Sequence, residues 1–323
     1  MTNWICHLLA LTRKGGTAVE KELATEQTVL PGAPVPGDPV DEVVSPWREA
    51  LSQLKKNKLA VFGACIILFF VLVAIIGPFF TPYEYDQLHA GERLTPPSAE
   101  NWFGTDDLGR DIFTRIVHGA RISLLVGFFS VTGALVMGTL LGIIAGFFGG
   151  WVDMLISRTF DVLLAFPSIL LAIASVAILG PSLQNALLAI AIINIPIFGR
   201  LVRSRVLSIR EEEYILAAKA TGMKNSRILF HHILPNSFAP IIVQATLSFG
   251  TAILEAAALG FLGLGAQAPM PAWGKMLSDS RQYIQTAPWT VLFPGLSIML
   301  VVLGFNMVGD GLRDALDPKM KNM

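Results

Sequence analysis

Six stretches of nearly unbroken apolar residues, separated by polar segments, dominate this chain. They cover roughly residues 59–80, 122–148, 162–179, 183–198, 240–262 and 289–308. Each is close to the ~20 residues that a helix needs to cross the hydrocarbon of a bilayer. Lipid offers backbone groups no hydrogen-bonding partner, so segments this apolar must satisfy themselves as helices. The pattern predicts an all-α membrane protein with six transmembrane helices. The first stops at Thr81-Pro82 and the third at Gly180-Pro181. Only a few residues join the third and fourth, which predicts an antiparallel hairpin.

The polar segments organise the rest. Residues 1–46 read as a disordered cytoplasmic tail. Their PGAPVPGDP run at 31–39 is too rich in Pro and Gly, and too poor in apolar side chains, to order itself. The short apolar start, Trp4 to Leu11, has no basic region before it and is too short to span, so it does not read as a cleaved signal. Residues 47–121 would hold a short amphipathic surface helix (Trp47 to Lys58), the first transmembrane helix and a periplasmic loop. Residues 122–323 would form a five-helix core with a large cytoplasmic loop at 199–239. Gly138, Gly142, Gly146 and Gly150, four apart, mark a face for close helix packing.

Composition supports lipid as the solvent: 53% of residues are hydrophobic and 15% charged, where a soluble chain carries about a quarter charged. The formal net charge of zero argues against nucleic acid as a partner. The distribution of cations gives orientation. With the N-terminus inside, 18 of the 24 Lys and Arg fall in cytoplasmic segments. The other 6 are Arg93, Arg110, Arg115, Arg121, Lys275 and Arg281. Positive charge concentrates on the cytoplasmic side of membrane proteins, so both termini are expected inside. Cys6 and Cys65 have no CxxC neighbour and imply neither a metal site nor a disulfide. The histidines are scattered apart from His231 and His232, which point in different directions on a helix.

The loop at 199–239 carries the most specific pattern. Arg200, Arg203, Arg205 and Arg210 stand at the expected boundary, and Glu211-Glu212-Glu213 then suit the first turn of a helix. That helix, YILAAKA, ends at Gly222, and a second helical stretch is expected to run to Leu234 and break at Pro235. The small residues Ala217, Ala218, Ala220 and Gly222 would let a partner approach closely. Here the chain resembles the permease subunits of bacterial ATP-binding-cassette (ABC) importers. Their cytoplasmic loop reads EAA, three residues, Gly, nine residues, then I-x-L-P. Ala217, Ala218, Gly222, Leu234 and Pro235 match, while Leu216 replaces the usual Glu and His232 the usual Ile. The segments 101–127, 258–279 and 304–321 resemble the C-type subunit of the dipeptide and oligopeptide permease group. The likeness covers residue 47 to the end.

The resemblance implies a type I importer permease architecture and an ATPase-coupling element containing Tyr214, Ala217, Ala218, Gly222, Leu234 and Pro235. It implies as partners a homologous second permease, two ABC ATPase subunits and a periplasmic substrate-binding protein, in the bacterial inner membrane. The chain itself is expected to be no enzyme and to bind no cofactor, with ATP and Mg held by the ATPases. The implied function is import of dipeptides or short peptides by alternating access.

Other residues leave alternatives open. Trp102, Asp106, Asp107 and Arg110 in the first loop read as a binding-protein contact or as a self-satisfied cap whose ion pairs also include Asp111 and Arg115. Glu255, an embedded carboxylate, reads as part of a translocation path, as a partner-subunit contact or as a solvated end group. Asn306 is a second path candidate. Asn194, Gln244 and Asn306 otherwise read as hydrogen bonds between helices. Other cargoes, such as nickel or heme, remain open. A secondary transporter would need paired broken helices or embedded charges, and a membrane peptidase would need clustered catalytic residues. No P-loop, HExxH or GxSxG pattern occurs.

Overall fold

Short polar side chains start the long helices. Asn57 Oδ1 accepts from the N–H groups of Leu59 and Ala60 at 3.1 and 3.2 Å. Asp111 Oδ2 accepts from Thr114 N–H at 2.7 Å, and Ser182 Oγ from Asn185 N–H at 3.1 Å. Each satisfies an N–H group that the first turn leaves without a partner. The computed structural model describes residues 46–89 and 91–316, so the tail expected over 1–46 lies outside the described residues except for Pro46.

The element order is α1 (Pro46–Lys56), α2 (Lys58–Ile76), α3 (Ile112–Phe148), α4 (Gly150–Ala165), α5 (Ser168–Leu179) and α6 (Leu183–Arg210). Then come α7 (Glu213–Ala220), α8 (Asn225–Ile228), a π-wound turn (Leu229–Ile233), α9 (Leu234–Phe261), α10 (Trp273–Ser280) and α11 (Trp289–Leu316). Among the described residues there is no strand beyond the isolated bridge of Thr105 with Asp111. Among the described residues, five helical stretches are long and apolar enough to cross a membrane: 58–79, 112–148, 183–210, 225–261 and 289–316. The pair α4 and α5, bent by 95°, makes a broken sixth.

The third apolar stretch is therefore not one helix over 162–179. Pro167 drives the residue before it out of the helical region, and Phe166 is extended (φ −95°, ψ 143°). What remains beyond the bend, α5, is 12 residues, about 18 Å. It does pack antiparallel to α6, across a turn at Gly180–Ser182. Nor does Pro235 break a helix. It lies in the first turn of α9, where its missing N–H costs least, and the helix runs on through Pro240 to Phe261. The second span begins at Ile112, which moves Arg115 and Arg121 from the loop onto a helix.

Three apolar cores hold the bundle. One joins α3, α5, α6 and α9 around Ala134, Val176, Ile190 and Ala252. Another joins α2, α3, α9, α10 and α11 around Ile112, Ile253, Trp273 and Val301. The closest pair is α3 with α6. A Cβ on Gly138 would lie 2.6 Å from Phe198 Cβ, and one on Gly146 would lie 2.9 Å from Val206 Cβ, so the backbones touch where side chains would collide. Gly142 meets Gly199 and Val202 in the same way. Gly150 does not continue this face; it opens α4 with nothing near it. Large apolar side chains such as Phe62, Phe69, Leu170 and Ile178 remain exposed on the outer faces, as lipid-facing helices require.

Candidate functional site

The loop between α6 and α9 folds as a hairpin on its own small core. Ile215 of α7, Ile228 of α8 and Ile233 of the π turn are fully buried. They pack on Val202 and Val206 of α6, Ile241 of α9 and Ile143 at the end of α3. Tyr214 adds a polar tie: its hydroxyl accepts from Asn236 Nδ2 at 3.1 Å, and the same amide donates to His232 O at 2.8 Å. The base of the hairpin is thus fixed to two spanning helices.

The tip is shaped by backbone geometry. Met223 N–H bonds Ala218 O at 3.1 Å and Gly222 N–H bonds Lys219 O at 3.0 Å, the paired bonds of a Schellman stop. That stop needs a left-handed residue, and Gly222 has φ +78°. Nothing lies within 4 Å of where its Cβ would stand. Ala217, Ala220 and Gly222 are exposed and Ala218 half-buried. Leu216 beside them is an apolar side chain left 47% exposed. Leu234 is half-buried at the base of the hairpin, and Pro235 is exposed there.

Glu255 lies on α9 inside the bundle. Its Oε2 accepts from Asn194 Nδ2 of α6 at 3.0 Å. Asn194 also donates to Ile190 O at 2.8 Å. Asn194 therefore bridges helices, as expected. Gln244 does not: it donates to Ser248 within its own helix at 3.1 Å. Asn306 is exposed on α11, its Oδ1 turned toward Gly250 of α9. The structure does not bring Asn306 into the Glu255 cluster.

At the opposite end of the bundle the first loop folds inward. Asp106 Oδ1 accepts from Leu108 and Arg110 N–H, both at 2.9 Å, and Oδ2 from Arg110 Nε at 2.7 Å. Arg115 Nε stands 3.6 Å from the same Oδ2, and its Nη1 donates to Tyr85 O at 3.0 Å. Asp106 and Arg110 are each only 6% exposed. As contact residues for a binding protein these two are corrected: they are spent on holding the loop. Trp102, 63% exposed, and the half-buried Asp107 remain at the surface. Burial and the neighbouring Asp106 push the Asp107 carboxyl above its usual range. Burial does the same at Asp111, against the opposing hydrogen bond from Thr114. Phe103 stacks on Phe293 of α11 at 4.1 Å, and Trp273 of α10 donates to Ile116 O at 3.1 Å, tying the cap to the helix ends.

Two ion pairs are not evident from the linear sequence. Asp153 of α4 takes both Nε and Nη2 of Arg203, the second at 2.7 Å, and Asp161 pairs with Arg200. The basic cluster is partly neutralised by α4. Carboxylates spaced eight apart on one helix face are the available signal.

Residues 138–322 match the family model described as "Binding-protein-dependent transport system inner membrane component", and residues 45–97 match "N-terminal TM domain of oligopeptide transport permease C". The chain is 75% identical over 295 residues to the dipeptide transport system permease protein DppC of Alkalihalophilus pseudofirmus, covering 91% of this chain and 97% of that one. It is 48% identical to the di/tripeptide transport system permease protein DppC of Pseudomonas aeruginosa, covering 88% and 96%. It is 47% identical to the glutathione transport system permease protein GsiD of Pectobacterium atrosepticum, covering 87% and 93%. Among solved structures, an inward-facing MetNI methionine ABC transporter chain matches with a TM-score of 0.53 at 20% identity, covering 64% of this chain and 98% of that one. That last likeness shows the fold alone. The chain belongs to the binding-protein-dependent transport system inner membrane components, as a multi-pass permease subunit of an ABC importer of the peptide-permease type.

Proposed function

We propose that this chain forms one half of a heterodimeric channel that carries dipeptides or short peptides from periplasm to cytoplasm by alternating access. The hairpin supports this reading most directly. Its tip offers Ala217, Ala220 and Gly222 outward with no partner in the chain, while its base is fixed to α6 and α9. A small-residue tip on a rigid base suits a surface that docks in a cleft and transmits its movement.

In this reading two ABC ATPase subunits bind and hydrolyse ATP with Mg, and the hairpin seats on one of them. This chain holds no cofactor and performs no chemistry. A homologous permease completes the channel, and a periplasmic binding protein delivers cargo to the first-loop end, where Trp102 and Asp107 are placed to meet it. Both termini lie in the cytoplasm of a bacterium with the chain in its inner membrane, in keeping with the 18-to-6 bias of Lys and Arg. Glu255 and Asn306 belong to the wall of the path.

The names of the relatives favour peptides, the 75% relative being named for dipeptides and the 47% relative for glutathione. Uptake of a labelled dipeptide by a strain lacking this chain, with and without the chain restored, tests the proposal. Restored uptake that excess dipeptide abolishes is expected. Competition by nickel or heme but not by dipeptides or other short peptides would overturn the peptide assignment.

A further inference from the structure

The shortest span fixes the depth of what surrounds its start. From Lys58 to Ile76, α2 has 19 residues, about 28 Å, against ~30 Å of hydrocarbon in a bilayer. From Leu59 to Ile76 no side chain is charged, and Leu59, Phe62, Phe69 and Ile75 are exposed. A helix with so little length to spare must put Lys58 at the headgroups. The preceding helix, α1, ends at Lys56 and so lies at the same level. Asn57 between them is extended (φ −77°, ψ 103°), so α1 does not continue the axis of α2. The end of α11 fills the crook. A Cβ on Gly311 would collide with Ala60 of α2 and lie 3.2 Å from Leu54 Cδ1 of α1.

This packing covers only part of α1. Leu54 is half-buried against α11, but Leu51, three residues back on the same face, is 56% exposed. Lys55, Lys56 and Lys58 are exposed, and none pairs with a carboxylate among the described residues. They differ in this from Arg200 and Arg203, which Asp161 and Asp153 of α4 hold. The end of α11 brings Asp310 and Asp314 to this level, both exposed, but also Arg313, so the cluster keeps a positive excess. An uncovered leucine beside unpaired lysines, at headgroup depth, is what a helix lying in the membrane interface presents.

We propose that the junction of α1 and α2 is a binding site for anionic phospholipid. Leu51 enters the boundary between headgroups and acyl chains, while Lys55, Lys56 and Lys58 meet the lipid phosphates. Lipid held there keeps α1, through Leu54, against Gly311, and so fixes the inner end of α11. The negative surface of the cytoplasmic leaflet favours such binding on the side where both termini are proposed to lie. The site requires only that α2 crosses the bilayer, and it stands or falls independently of cargo and of ATP.

The test uses the purified subunit complex in mixed micelles containing either phosphatidylglycerol or phosphatidylcholine. The unfolding temperature is followed against the lipid fraction, since a ligand of the folded state raises it. Phosphatidylglycerol should raise it to a plateau, and phosphatidylcholine should not. A lysine at an anionic surface contributes about fivefold in affinity. The triple variant Lys55→Gln, Lys56→Gln, Lys58→Gln should therefore raise the half-saturating fraction of phosphatidylglycerol at least about tenfold. Arginine at all three positions should preserve the response, and Leu51→Ser should weaken it. An unchanged response in the triple variant overturns the proposal, as does phosphatidylcholine matching phosphatidylglycerol. Equal stabilisation by inorganic phosphate would make this a site for a free anion and overturn the lipid assignment. Loss of the ATPase subunits from the triple variant in both lipids would assign the lysines to that partner instead. Should the triple variant not insert, Lys56→Gln alone, with an expected loss of about fivefold, carries the same decision. Arg205→Gln, exposed near the inner end of α6, should leave the response unchanged. An equal loss there would show a diffuse attraction in place of a site.

Discussion

The two large loops at opposite ends of the bundle look similar in sequence, each a run of charges and small residues between apolar helices. They fold in opposite senses. The first loop turns its charges inward: Asp106, Arg110 and Arg115 are buried against one another and the loop is stitched to α3, α10 and α11. The hairpin turns its isoleucines inward and leaves its small residues and Gly222 facing out with nothing to touch. A charge-rich loop can therefore be a closed structural cap, while the loop with the plainer side chains is the open one. The sharpest way to break this comparison is to cut the ion pair. Removing one partner of a buried pair leaves the other charged and uncompensated, at about 3–5 kcal/mol. Asp106→Ala should lower the thermal unfolding temperature of the purified subunit complex by the largest margin of any single change here, whereas Ala220→Ser on the hairpin should not move it. Equal, small effects from both would mean that the cap is not closed in the way its burial implies.

The next largest effect is expected at the base of the hairpin. Ile215→Ala removes a fully buried side chain from a core too small to collapse around the gap, at about 2–4 kcal/mol. Because the hairpin is a local unit, the loss should appear first as faster hydrogen exchange over 211–233, with the spans still protected. Uptake should fall with it. Exchange rising instead across α6 and α9 would show that the hairpin is no separate unit.

At the tip the expected stability effect is smaller and separates strain from contact. Gly222→Ala forces a side chain into a left-handed residue, at about 1 kcal/mol. Gly222→Arg should cost the same in stability, since the space around it is empty within this chain, but should abolish uptake. Equal uptake in the two variants would argue that no partner lies close to the tip.

Much of this architecture is legible in the sequence. Hydropathy locates the apolar stretches, and the Ala217-Ala218…Gly222 pattern locates the hairpin. The departures cluster at prolines. Pro167 lies inside a stretch that hydropathy makes continuous, though the chain bends there by 95°, and Pro235 looks like a stop, though the helix continues past it. The same residue has opposite consequences because its cost depends on position: in a first turn its missing N–H is no loss, while the residue before it is always pushed toward extended backbone. The burial of Asp106 and Arg110 is illegible for a different reason. It depends on Tyr85, Trp289 and α10 closing over the loop, contacts that are remote in sequence.

The smallest effect probes the closed cap with a proton. Asp111 is buried at the start of α3, with Oδ2 on Thr114 N–H and Oδ1 without a partner, and burial holds its carboxyl above the usual value of 3.8. In the window between that value and the raised one, the folded state keeps a proton that the unfolded chain has lost. Stability should therefore decline as pH rises through the window and stay lower above it. Asp107 adds a contribution of the same sign, weaker because it is only half-buried and screened by water. Asn is as good an N-cap as Asp, so Asp111→Asn keeps the bond to Thr114 and removes the charge. Its unfolding temperature should exceed that of the parent slightly at neutral pH, and the difference should vanish as pH falls toward about 4. A difference that stays constant with pH would mean that the Asp111 carboxylate is better solvated than its burial implies, and that the cap, like the hairpin tip, is open to water.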